Sequence, residues 1–219
     1  MTPQEERDQH IAASLLESAV AVIGSNLDGN LPGPLYNFNR RYNPTFCTDV
    51  VLVPEGNVPS VILAQRNTKV VAPGHWWIFG GRVNKELDYF ATAQTKVKSE
   101  IGLEVNVGAT DVIGLGRTYF PPDAQEEKLR DHNISTPNLC FAKVVPLTDQ
   151  AQEKITTADG HEGNWKVFTS IDPTWHPYIV NAVAYAWQRL HGVPARESAG
   201  DARGVIADPQ FFIPLRYEA

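Results

Sequence analysis

PGHWWIFGGRVNKELDYFATAQTKVKSEIGLEV, from Pro73 to Val105, changes its periodicity halfway along. His75 to Phe79 is short and aromatic, as a strand is, and it runs into Gly80-Gly81. After a short acidic loop, Phe90, Ala93, Val97 and Ile101 recur at spacings of three and four. That spacing puts them on one face of a helix from Asp88 to Ile101. Gly102 supplies the stop, because glycine takes the left-handed conformation without a steric cost. The order is strand, Gly-Gly turn, loop, helix, glycine stop.

Working outward, Thr48 to Val53 and Pro59 to Gln65 are apolar runs of strand length, separated by the turn residues PEGN. Val105 to Tyr119, Asn138 to Pro146 and Trp165 to Phe168 are further strands, the first of them interrupted by Gly108, Gly114 and Gly116. His176 to His191 has Ile179, Val183, Ala186, Trp187 and Leu190 on one helical face. Gln4 to Val22 is an amphipathic helix with a stripe of Ile11, Leu15, Leu16, Val20 and Ala21. Gly24 to Pro44 is loop, with Tyr36, Phe38, Arg40, Arg41 and Tyr42 either pinning it to the body or reaching a nucleotide or a partner subunit. Pro121 to Thr136 is a long charged loop, and Ala151 to Asn164 is polar. Strands interleaved with two well-separated helices predict an α+β fold, an α/β/α sandwich around a mixed β-sheet. The expected divisions are an N-terminal helix and loop over 1–45, a central domain over 46–192 and a C-terminal tail over 193–219. The tail's apolar patch QFFIPL is expected to dock on its own body or on a second subunit.

The composition excludes several classes. A net charge of -6 argues against an extended nucleic-acid surface, which needs clustered Lys and Arg. A small phosphate site needs only a few local cations and stays open. No apolar run approaches the roughly 18 residues of a membrane helix. The polar start MTPQEERDQH is not a secretory signal. Cys47 and Cys140 lie in strand-like runs as reduced core residues, consistent with a cytoplasmic compartment.

The stretch around Gly80-Gly81 resembles the Nudix box, whose pattern is G-x5-E-x7-R-E-U-x-E-E-x-G-U with U a bulky aliphatic. Gly81 opens the frame, and Gly102-Leu103 closes it at the required distance. Within the frame Leu87 stands for the first Glu, Thr95-Lys96 for Arg-Glu and Ser99-Glu100 for Glu-Glu, so Glu100 is the one carboxylate in register. The segment GGRVNKE(x13)EIGL is similar to the GDP-mannose mannosyl hydrolase branch, over about residues 47 to 170. That resemblance independently implies the α/β/α sandwich.

It also implies a chemistry and a set of roles. Members of the branch replace the sugar at its anomeric carbon, so GDP and free sugar leave and phosphorus is not attacked. The resemblance implies Mg²⁺ or Mn²⁺ held by the Gly80 carbonyl and Glu100. Arg82 would lie on the diphosphate, where a planar guanidinium meets two oxygens at once, and Arg66 would support the departing GDP. His161, in ADGHEGNWKVF, would be the general base, with Asp159 or Glu162 as a further ligand where Gly160 falls at the family's position.

Other readings of these residues stay open. Glu100 and Lys96 also form an i,i+4 ion pair. Arg82 also suits bracing of helix carboxylates, and His161 a solvated loop. His75, Trp76 and Trp77 are expected to be packing residues. The candidate activities are nucleotide-sugar hydrolysis, phosphoanhydride cleavage, or inactive nucleotide or protein binding. The expected partner is a small nucleotide sugar, with the N-terminal helix and QFFIPL as elements of a homodimer.

Overall fold

The computed structural model describes residues 2–23, 44–66, 72–84, 86–120, 134–157, 164–194 and 212–214. The expected aromatic and basic loop through Arg40 and Arg41, and most of the charged loop after Pro121, lie outside the described residues. The chain divides into two compact units, Met1–Tyr36 and Asn37–Ala219.

In the first unit, α1 (Pro3–Ile23) carries Glu5 and Glu6 in its first turn, where carboxylates complement the helix dipole. The Thr2 amide donates to Glu5 Oε2 at 2.6 Å, and the Glu5 amide donates to Thr2 Oγ1 at 3.3 Å. This reciprocal pair satisfies two amides that the helix itself leaves unpaired. Ile11 and Leu15 of the expected stripe are exposed.

The second unit runs β1 (Cys47–Pro54), β2 (Val61–Gln65), β3 (Trp76–Trp77), β4 (Phe79–Arg82), α2 (Tyr89–Ile101), a 3-10 turn at Ala109–Asp111, then β5 (Val112–Phe120) and β6 (Ile134–Val145). It continues through α3 (Asp149–Thr157), β7 (Trp165–Phe168), α4 (Pro177–His191) and β8 (Phe212–Pro214). The strands form one sheet in the order β3-β2-β1-β6-β5-β8, with β4 also on β1 and β7 also on β2. β1 and β6 are parallel and the other pairs antiparallel, so the sheet is mixed.

Side chains alternate across a strand, and β1 is buried on both faces. Val50 and Leu52 pack with Phe79, Ala93, Val97, Ile101 and Ile155, on the side of α2 and α3. Val51 and Val53 pack with Tyr178, Ile179, Val183 and Trp187 of α4. This double covering explains the near-continuous apolar run at Val50 to Val53. The sequence-predicted α/β/α sandwich is therefore the observed architecture.

Local chemistry sets the helix ends. Asp88 caps α2 by accepting from the Ala91 amide at 2.7 Å, and Gly102 ends it at φ 70°. α4 opens with Pro177, its amides capped by His176, and ends at Gly192 with φ 70°. The Trp187 indole donates to the Ser60 carbonyl at 2.9 Å, locking α4 onto the sheet.

Three details differ from the sequence reading. The polar stretch after Thr148 contains α3, in which Ala151 and Ile155 are the buried residues among those described, so it shows little apolar periodicity. β5 runs unbroken through Gly114 and Gly116, with a register shift between Val112 and Gly114. His75 is exposed rather than packed, while Trp77 is in the core and Trp76 is half-buried beside it. Part of the apolar tail pairs with its own sheet, where Leu115 faces Ile213 and Gly116 faces Phe212. None of the described helices is long and apolar enough to cross a membrane.

Removing the cap in Asp88→Ala is expected to cost about 1 kcal/mol. Denaturant unfolding should show a lower midpoint with an unchanged slope; an unchanged midpoint would mean the cap contributes nothing.

Candidate functional site

β3 pairs with β2, whereas β4, one residue later, pairs with β1. Because β1 and β2 are antiparallel, pairing antiparallel to each in turn makes the chain bend at Ile78. The bend delivers Gly80 and Gly81 against the start of β1 as strand residues of β4, not as the turn the sequence suggests, with Asp49 opposite Gly80, Thr48 opposite Gly81 and Cys47 opposite Arg82.

Glycine is required at the closest point. Gly80 has φ 155°, and a Cβ there would overlap the Thr48 carbonyl oxygen and come within 2.6 Å of Asp49 Oδ1. The bare backbone lets the Gly80 amide donate to Glu100 Oε2 at 3.1 Å, across 20 residues of sequence. Glu100 is thus oriented by the strand it faces. One helical turn earlier, Lys96 lies over Gly81: a Cβ on Gly81 would be 3.4 Å from Lys96 Cδ and Cε and 3.7 Å from Nζ.

Asp49 is the buried acid of the site. It accepts from the Tyr178 hydroxyl at 2.6 Å. Burial pushes its carboxyl up to about 7, aided by the Glu100 charge and opposed by the Tyr178 bond and Arg66. Arg66 is half-buried and its guanidinium lies 4.9 Å from the centre of the Trp77 ring, a cation over an aromatic face. Burial pulls the pKa of Arg66 down, and Asp49, Glu100 and Cys47 pull it back up. The Cys47 thiol is pushed up to about 12, first by burial and then by Asp49, while Arg82, Lys96 and Arg66 draw it down. The start of β1 therefore lies within the fields of three cations and one buried acid.

His176 completes the wall. Its ring is 5.2 Å from Trp77 and 5.8 Å from Phe120, and its Nδ1 accepts from the Tyr178 amide at 3.2 Å. Burial, then His75 and Arg66, lowers its pKa to about 4. With its Nδ1 lone pair committed to the helix cap and its ring neutral, His176 acts as a fixed packing and hydrogen-bonding group.

Of the residues singled out in the sequence, the fold brings Gly80, Glu100, Arg66 and Arg82 to one end of β1. Arg82 is exposed there. His161, with Asp159, Gly160 and Glu162, lies outside the described residues. Asp88 serves as a helix cap and Glu86 is exposed in the loop before it. Sequence reasoning missed Asp49, Tyr178, Lys96 as a site residue, and His176. The signal for Asp49 was a lone acid inside an apolar strand, where an ionisable group is costly unless hydrogen-bonded.

A divalent ion of the Mg²⁺ class takes oxygen ligands and is commonly held by one or two carboxylates together with substrate phosphates. Among the described residues, no group of three or more His, Cys, Asp and Glu side chains is arranged to hold a metal. Glu100 and Asp49 are the acids of the site, and Asp49 is hydrogen-bonded to Tyr178. This donor set fits an ion that arrives on a diphosphate and is completed by Glu100. Among the described residues, protein groups alone do not complete a site for such an ion.

No protein-family model and no curated protein matches the chain. Among solved structures it is similar to a mutT/nudix family protein from Listeria innocua, at 18% identity over 58% of this chain and 80% of that one, with a TM-score of 0.35. It is also similar to the Ap4A hydrolase of C. elegans, at 13% identity over 57% and 80%, TM-score 0.35. A third is NrtR of Shewanella oneidensis, at 17% identity over 67% and 63%, TM-score 0.43. At these values the case for any activity rests on this chain's own residues.

The buried acid predicts a pH dependence. The Asp49 carboxyl titrates near 3.8 when unfolded and near 7 in the fold. Between these values the unfolded chain has lost the proton that the fold retains. Asp49 by itself makes stability fall as pH rises toward 7, by about 1 kcal/mol per pH unit, while His176, charged in the unfolded chain below about 6.5 and neutral in the fold down to about 4, opposes it by a similar amount over pH 4 to 6.5. Asp49→Asn should uncover the His176 contribution, so that stability rises from pH 4 to 6.5 in unfolding curves where the parent chain is nearly flat; an identical profile in the variant would mean that Asp49 does not titrate as described. Gly80→Ala should lower the thermal midpoint sharply, through both overlap and strain. A wild-type midpoint would show that the β1–β4 approach is looser than described.

Proposed function

We propose that the chain is a Nudix-type hydrolase of nucleoside diphosphate sugars. Its nearest chemical parallel is the GDP-mannose mannosyl hydrolase branch, with water attacking the anomeric carbon to release a nucleoside diphosphate and free sugar. The observation that carries this reading is the Gly80 amide bonded to Glu100 at 3.1 Å, which fixes the one in-register carboxylate against the cation-lined Gly80-Gly81 stretch.

Each group then has a task. Arg66, braced on Trp77, and Arg82, at the end of β4, neutralise the charge that grows on the diphosphate as the carbon-oxygen bond breaks. Positioned cations of this kind act strongest where water is excluded, and Arg66 is the more buried of the two. Glu100 faces the diphosphate and shares any divalent ion bound to it; when bound, that ion would stabilise the leaving group. His161 is the proposed acceptor of the proton from water. The nucleotide sugar is the proposed partner, and a homodimer the proposed assembly.

The thinned set of carboxylates supports a second reading, a domain that binds the diphosphate without turning it over. Phosphorus NMR with Mg²⁺ and a panel of GDP-, UDP- and ADP-sugars separates them. A nucleoside diphosphate with free sugar is the expected product. A nucleoside monophosphate with sugar phosphate would replace the proposal with phosphoanhydride cleavage, and binding without turnover would replace it with the second reading. Glu100→Gln is expected to remove metal-dependent turnover. His161→Ala is expected to slow the reaction by roughly 10²- to 10⁴-fold, and an unchanged rate would remove His161 from the mechanism.

A further inference from the structure

The helix position that carries a glutamate in the Nudix pattern carries Lys96 here. This exchange replaces a metal-seeking anion with a permanent cation, a change of two charge units. The structure shows where that cation goes. The Lys96 stem packs across Gly81, and its Nζ stands 3.7 Å from where a Gly81 side chain would begin. Gly81 has no side chain, so the lysine lies close over the backbone of β4. Arg82 follows directly in the chain, and its Cα faces Cys47 across the β1–β4 ladder. Lys96, Arg82 and Arg66 each act electrostatically on the Cys47 thiol at the start of β1. Glu100 and Asp49, the acids of the site, both act electrostatically on Arg66.

We infer that the Lys96 ammonium, over Gly81 of β4 beside Arg82 and Arg66, is a built-in cation that binds the diphosphate of a nucleoside diphosphate without a divalent ion. An ammonium is a compact point charge with three donors on a flexible stem, suited to non-bridging phosphate oxygens, while the two guanidinium groups fix the orientation. Glu100 orients the site through Gly80 and leaves room for an ion that arrives with the ligand, but binding does not wait for one. This inference rests on the reading of this stretch as a diphosphate pocket.

The test is calorimetric binding of GDP and of inorganic pyrophosphate to the full chain, once in EDTA and once in Mg²⁺. The expected result is binding in both, weakened by added salt, since ionic attraction is screened. Lys96→Met keeps the length of the stem and removes the charge. It is expected to weaken binding in EDTA by roughly 10- to 100-fold, the range for a charge-assisted hydrogen bond. Lys96→Glu, which restores the acid of the pattern, is expected to abolish binding in EDTA and to make binding depend on Mg²⁺. Thermal midpoints of both variants confirm that the chain is folded.

Binding seen only with Mg²⁺ in the wild type would overturn the inference and leave the diphosphate reading standing. Unchanged binding in EDTA by folded Lys96→Met would also overturn it, because the affinity would then come from elsewhere. No binding of either ligand under either condition would overturn the diphosphate reading itself.

Discussion

The bond from the Gly80 amide to Glu100 joins the sheet to α2, and it exists because β4 approaches β1 more closely than any side chain would permit. A chain that must bend at Ile78 to change partner strands has to place its next residues against the start of β1. Only glycine survives there, and glycine leaves an amide exposed on the side facing the helix. The carboxylate of Glu100 takes up that amide, so one local constraint sets both the orientation of β4 and the direction of the acid. The lysine one turn earlier then falls over Gly81, and Arg82 emerges at the rim.

The electrostatics follow from depth. Asp49 is nearly inaccessible, and its proton is retained to about pH 7 because desolvation outweighs the Tyr178 donor and the Arg66 cation, both of which favour the charged form. Glu100 sits nearer the surface and accepts from the Gly80 amide. The two acids thus differ in depth and in hydrogen-bond partner. Arg66 lies between them, held over Trp77, and answers to both.

Much of this was legible in the sequence. The periodicity of Phe90, Ala93, Val97 and Ile101 and the stop at Gly102 placed α2 within a residue of its observed span. The Val-rich run from Thr48 to Val53 marked β1 as a strand, while its covering on both faces comes from the fold. Gly80, Arg66, Arg82 and Glu100 could be named from spacing and resemblance, because this stretch and the helix are local in sequence. Asp49 and Tyr178 could not. They are 129 residues apart, and their bond depends on how α4 crosses the sheet, which no local pattern encodes. α3 was missed for a different reason: with Ala151 and Ile155 as the buried residues among those described, its composition is that of a loop.

The parallel pairing of β1 with β6 has a consequence for how the molecule comes into being. Cys47 pairs with Asn138 and Pro54 with Val145, contacts on the order of ninety residues apart. Closing loops of that length is slow, and sheets built on such pairings form late. During synthesis the apolar core strand β1 emerges long before its parallel neighbour, with β2, β3, β4 and α2 available as early cover. The interval between the emergence of Phe79 and that of Val145 is therefore the period in which the nascent chain is most exposed to mispairing and most dependent on chaperones.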